Sequence, residues 1–213
     1  MASNKSLRIK LGALFILVGI LIAAYPVFTM FYGKYKQNAL LKEHDRLVKQ
    51  HVKTSRAPSG PNSDRTPLGG KGPFPPTKII IPKIEIEQIV QEGITTSVLR
   101  EGPGHYPKTA NPGVVGWCAI AGHSITFSSP FDHIDELEKG DLIILETLEA
   151  RFVYSVESKE IQSANATLPM PRIDKPKVAL TTCTPKLTST HRLIVRGVLL
   201  PFPQSRYLVE PGL

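Results

Sequence analysis

Residues 177–199 read KVALTTCTPKLTSTHRLIVRGVL. Two apolar, β-favouring runs, 177–183 and 192–199, flank an eight-residue polar connection, 184–191. Pro185 cannot donate to a ladder, so the first run stops close to Cys183. If the two runs form a hairpin, Cys183 and Arg192 face each other across its open end. A cation beside a thiol favours the thiolate and can also stabilise an oxyanion.

The same texture extends backwards to residue 78. Further strands are expected at 79–81, 84–86, 114–121, 141–147 and 151–157, separated by Gly, Pro, Asn and Ser clusters. One short helix is expected at 131–137, where Phe131, Ile134 and Leu137 share a face behind Ser128, Ser129 and Pro130. Many short strands with few helices predict a mainly β fold, a closed or nearly closed barrel over 78–213. A domain of that size buries roughly two-thirds of its unfolded surface and needs no covalent staple.

The N-terminal part is different. Residues 11–32 are 22 uncharged, mostly apolar residues, enough at 1.5 Å per residue for roughly 30 Å, the thickness of a bilayer core. No small-x-small cleavage site follows at 23–27, so the run predicts a retained transmembrane anchor behind a 1–10 tail. Residues 33–53 predict a juxtamembrane helix, with Leu40, Leu41, Leu47 and Val48 near helical spacing. Residues 54–77 hold six Pro and four Gly and predict a linker. Because 1–53 contribute no strand, their removal is expected to leave a folded, active domain.

Charge supports this division. Of the net +8, residues 1–53 carry +7, from nine Lys/Arg and two Asp/Glu. The other 160 residues hold 17 basic and 16 acidic groups. A nucleic-acid-binding domain would concentrate the excess on its folded part, so that class is disfavoured. Basic residues flank the apolar run on both sides, which leaves orientation open on charge alone.

Few metal or nucleotide chemistries are available. Two cysteines exclude a disulfide scaffold and a four-cysteine zinc site. There is no His-x-x-x-His, Cys-x-x-Cys, EF-hand loop or glycine-rich phosphate loop. What remains is a thiol with a histidine. His123 follows the apolar run 119–121 and Gly122, the place expected of a catalytic group at a barrel mouth. Cys118 is the competing thiol. It lies mid-strand, opposite in parity to His123, and reads as core packing, although a Cys118–Cys183 disulfide stays open. A lone cysteine is most often an inert small hydrophobe. The weight lies in the conjunction of His123, Cys183 and Arg192 at strand ends.

Several stretches carry a family resemblance: GHYP at 104–107, AIAGH at 119–123, 131–137, Gly140-Asp141, LTTCTP at 180–185 and HRLIVRG at 191–197. Over 78–200 the chain resembles a sortase, a cysteine transpeptidase of bacterial cell surfaces. The resemblance implies an eight-stranded barrel with Cys183 as nucleophile, His123 as general acid/base and Arg192 holding the substrate carbonyl and oxyanion. Arg196, four residues along, is the rival arginine. Ala121, Thr181, Thr182 and Thr184 flank the catalytic residues and are the expected substrate-binding positions. The segment 163–176 is expected to wall the peptide groove, with Pro169, Met170 and Pro171 on its apolar positions.

The resemblance further implies a sorting-signal peptide cleaved at a Thr-Gly bond. The amine acceptor would come from a peptidoglycan precursor or a pilin. No cofactor is implied. The catalytic domain would lie outside a bacterial cell of Gram-positive type, on a single-pass anchor. Trp117-Cys118 and Ser124 depart from common family choices without touching the chemistry. Subclass features are mixed between pilus-assembling (class C) and class D/E-like enzymes. The missing lid motif and the absence of a second apolar run favour the single-span kinds. A cysteine hydrolase with the same site, and a non-catalytic tethered barrel, are the alternatives.

Overall fold

The computed structural model describes residues 3–55, 72–125, 129–186 and 188–201. Most of the expected 54–77 linker, together with Ser128 and 202–213, lies outside the described residues. Eight strands close into a barrel in the order β1-β2-β3-β4-β7-β8-β6-β5. They are β1 (Thr77–Ile81), β2 (Ile86–Glu92), β3 (Gly104–His105), β4 (Gly116–Ala121), β5 (Leu142–Thr147), β6 (Arg151–Ser163), β7 (Pro176–Thr184) and β8 (His191–Leu199). Pairings are antiparallel except β2 with β3 and β4 with β7.

Period-two alternation fills the interior. Ile79, Ile81, Cys118, Ile120, Ile143, Leu145, Tyr154, Val178, Leu180 and Val195 point inward and form one core. Each large apolar side chain buried there contributes about 1.5–3 kcal/mol. Phe131, Ile134 and Leu137 close one end, all fully buried. The short helix expected here is a 3₁₀ turn, Ile134–Glu136, with Phe131 before it and Leu137 at its C-terminal cap. Their spacing is three residues, which is the period of a 3₁₀ helix.

Other expectations shift at turns. The expected strand 84–86 is instead the end of a 3₁₀ turn, Pro82–Ile84, followed by Glu85 at φ 53. Pro82 opens that turn, and β2 begins only at Ile86, paired with Ile81. β6 runs six residues beyond 157, through a bulge between Val156 and Ser158. Its polar second half is ordered by pairing with β8 rather than by apolar alternation.

Helix α1 is continuous over Ser3–Ser55. It contains a stretch apolar and long enough to cross a membrane, none of it buried. Beyond that stretch the helix packs on the barrel, with Gln37 and His44 buried at 4% and 3% exposure. The Gln37 carboxamide accepts from Ile89 N (2.8 Å) and donates to Ile89 O (3.3 Å) and Glu101 O (2.7 Å). It thereby completes the free edge of β2 next to the two-residue β3. Residues around Gln37 and His44 thus pack on the barrel, which the expectation of a separate juxtamembrane helix over 33–53 did not include. Helix α2 (Thr96–Glu101), capped by Thr95 Oγ1, joins β2 to β3.

Candidate active site

Strand registry builds the site. In the parallel β4–β7 pair, Ala119 opposes Ala179 and Ala121 opposes Thr181. Gly122 N donates to Thr181 O (3.0 Å), and Thr182 Oγ1 donates to Gly122 O (2.8 Å), so the alignment persists past the strand end. His123 lies two residues past Ala121 in the loop after β4, and Cys183 two residues past Thr181 on β7. On the other side, the antiparallel β7–β8 pair puts Cys183 opposite Arg192. Strand spacing is about 4.8 Å, so Cys183 and Arg192 are immediate neighbours across β7 and β8, with the His123 loop following the strand on the other side of β7.

The three differ in environment. Cys183 is exposed and free of any disulfide. His123 and Arg192 are half-buried. Burial first, and then the Arg100 guanidinium on α2, hold the His123 imidazole below its usual proton affinity. His123 O accepts from Phe131 N (3.0 Å), which ties the loop after β4 to the end plug. Gly122 allows this packing, because a Cβ there would lie 2.6 Å from the Phe131 ring.

Cys118 is the other thiol and is also unpaired in disulfide terms. It is 1% exposed in the barrel core, and burial pushes its thiol well above the ordinary range. His105, in β3, is equally buried and fully engaged. Its Nδ1 meets Glu92 Oε2 (2.6 Å), its Nε2 meets Thr109 Oγ1 (2.8 Å), and its ring stacks on Phe74.

Below the catalytic row, the outer face of the three strands forms a floor of small and apolar side chains. Trp117, Ala119, Ala179 and Ile194 pack there with Leu168, Tyr106 and Ile173. Ala121 and Thr181 lie in the row between this floor and Cys183. Thr181 Oγ1 bonds Tyr106 Oη (3.0 Å). Thr182 has the opposite parity, is 6% exposed, and spends its hydroxyl on Gly122. Thr184 is half-buried opposite His191.

The β6–β7 connection covers the lower part of this face. Leu168 and Ile173 supply its apolar contact, while Pro169 and Pro171 contribute backbone carbonyls. Trp117 Nε1 donates to Pro171 O (2.9 Å), and Arg196 Nη2 donates to Pro169 O (2.8 Å). Met170 is 39% exposed. Arg196 also pairs with Glu160 (2.8 Å) and lies over the Trp117 ring (5.1 Å). Arg196 is therefore a strut for the connection, while Arg192 stands in the row with the thiol.

Sequence reasoning did not single out Arg100, Leu168 or Ile194 for the site. Only Ile194 carried a readable signal, since its parity within β8 matches Arg192 and Arg196. Among the described residues, no group of three or more His, Cys, Asp or Glu side chains is placed to hold a metal ion.

A model of the Sortase domain matches residues 79–200. Sortase SrtE1 of Streptomyces coelicolor is 31% identical, over 89% of this chain and 56% of its own length, so the chain spans little more than half of that relative. Sortase D of Bacillus subtilis is 30% identical over 83% of this chain and 89% of its own. A solved Clostridium perfringens Sortase D5 transpeptidase superposes with a TM-score of 0.61 at 28% identity, over 78% of this chain and 99% of that one. The closed eight-stranded barrel agrees with these likenesses, the family match covers more than half of the residues, and the chain belongs to the sortase family.

Proposed function

We propose that the chain is a membrane-anchored transpeptidase acting through Cys183. The Cys183–Arg192 pair across β7 and β8, with His123 in the loop that follows the neighbouring strand β4, supports this reading. Cys183 passes its thiol proton to His123, and the resulting thiolate attacks the carbonyl carbon of a Thr-Gly bond in a sorting-signal peptide. Arg192, with a backbone N–H near Thr184, stabilises the tetrahedral oxyanion. As the C–N bond breaks, His123 gives its proton to the departing glycine amine, leaving a thioester on Cys183. An amine of a peptidoglycan precursor or a pilin then attacks the thioester carbonyl and gives a proton to His123; the C–S bond breaks, a new amide is released, and His123 returns the proton to the Cys183 thiolate. Ala121 and Thr181 lie between the thiol and the groove floor, where the residues before the scissile bond would run.

The apolar stretch of α1 is the proposed single-pass anchor, with the barrel on the outer face of the membrane. Likeness to Sortase SrtE1 and Sortase D supports the class D/E-like side of the mixed subclass features. Product analysis tests the reaction. The chain is incubated with a panel of sorting-signal peptides, with and without a glycine-based amine. Peptide–amine conjugates support transfer; free acid in equal yield with and without the amine would assign a hydrolase instead.

A further inference from the structure

Helix α1 meets the barrel soon after its apolar stretch ends at Tyr32. Gln37, five residues on, is already buried against Ile89 and Glu101. At 1.5 Å per residue the rise between them is roughly 7.5 Å, about the depth of a headgroup layer. The parts of the barrel gripped by Gln37, β2 and the C-terminus of α2, therefore stand at the level where the apolar stretch ends. The grip is tight. A Cβ on Gly102 would lie 1.9 Å from Gln37 Nε2, so only glycine leaves room for the carboxamide. A second hold lies eight residues along the helix, where Asp45 is 3.5 Å from Lys78 Nζ. Two attachments fix the helix against the barrel.

The turn leading into α2 suits a lipid interface. Residues 93–99, Gly-Ile-Thr-Thr-Ser-Val-Leu, carry no charge. Helix α2 buries none of its residues, and Ile94 is 39% exposed. Arg100, at the end of this stretch, is exposed, and on α1 Lys34 is exposed and Lys36 half-buried between the end of the apolar stretch and Gln37. The neighbouring carboxylates are engaged: Glu92 with His105 (2.6 Å) and Glu101 with Gln91 (3.4 Å). Uncharged side chains with hydroxyls, flanked by cations, match the chemistry of an anionic headgroup layer.

We propose that residues 93–100 rest on the anionic lipid surface when α1 spans the membrane, with Gln37 fixing the barrel at that height. The proposal rests on the anchor reading above. Its consequence concerns access. Gly104, four residues after Arg100, pairs with Ala121, two residues before His123, so this turn and the His123 loop lie at the same end of the barrel. The His123 side of the mouth therefore opens near the headgroups, within reach of substrates that are themselves tethered close to the membrane.

The test uses the full chain with Cys183→Ala, reconstituted in phosphatidylcholine–phosphatidylglycerol vesicles. A single Ile94→Cys carries an environment-sensitive fluorophore, and Val115→Cys, 58% exposed just before β4, is the comparison site. Cys118, at 1% exposure, is shielded from labelling in the folded chain. Lipids with a shallow nitroxide should quench the probe at 94 severalfold more than the probe at 115. Gln37→Ala should reduce that difference, and so should replacing phosphatidylglycerol by phosphatidylcholine. Equal quenching at both sites, in vesicles that retain the chain through alkaline carbonate, overturns the lipid contact alone. Release of the chain by carbonate overturns the anchor as well.

Discussion

Cys183 and Arg192 are direct cross-strand partners in the antiparallel β7–β8 pair, whereas Arg196 opposes Ala179 four residues further along. Arg192→Lys should therefore impair turnover far more than Arg196→Lys. A guanidinium presents a fixed fork of donors that an ammonium cannot reproduce. Loss of oxyanion geometry should lower kcat by about 10²–10³. Arg196→Lys should act mainly on KM, through the hold on Pro169 and Glu160. Steady-state kinetics of both variants on one peptide check this; an equal or larger kcat loss at Arg196 contradicts the assignment.

Arg100→Gln should raise the proton affinity of His123, because one of the two causes that lower it is removed. The sign also holds for stability. An unfolded His123 takes up a proton near pH 6.5, while the folded one resists until lower pH. Folding is thus weakened as pH falls through about 6.5, until the folded form protonates too. Arg100→Gln should soften that loss. NMR titration of the His123 ring reads it directly, and a midpoint moving to lower pH would contradict the account.

Gln37→Ala should destabilise the barrel by about 1–3 kcal/mol, the cost of leaving buried backbone groups at Ile89 and Glu101 unpaired. Gly102→Ala should act in the same direction, since its Cβ collides with the Gln37 carboxamide. A fragment starting at residue 33 should therefore melt at a higher temperature than one starting at residue 54. Identical melting temperatures would mean that the helix adds nothing to the fold.

Legibility in the sequence followed the kind of signal each residue gives. The Cys183–Arg192 pairing was readable because a proline and an eight-residue connection bracket a hairpin between two apolar runs. The position of His123 followed from a strand end. Gln37 gave no signal, since a buried carboxamide in a charged helix looks like any solvated one. β3 has two residues and α2 six, too few to show a period. The second half of β6 is polar and depends on β8 for its order. In the 131–137 segment the three-residue spacing was present but read as a helical face, and the structure resolves it as a 3₁₀ turn.

Leu168→Ala should raise KM for the peptide. Leu168 is the apolar contact of the β6–β7 connection with Trp117, Ala179 and Ile194, and truncating it loosens the wall of the groove. The His123 titration should stay where it is, because Leu168 belongs to the floor cluster and His123 to the row above it. A lowered kcat at unchanged KM would place Leu168 in the chemistry and contradict this reading.

The central claim is that Cys183 at the strand lip, and not Cys118 in the core, carries the acyl group. Intact-protein mass spectrometry after incubation with a sorting-signal peptide measures this directly. The wild-type chain and Cys118→Ala should both gain the mass of the acyl fragment, and Cys183→Ala should gain none. An adduct mapped to Cys118, or one that survives the loss of Cys183, would contradict the account.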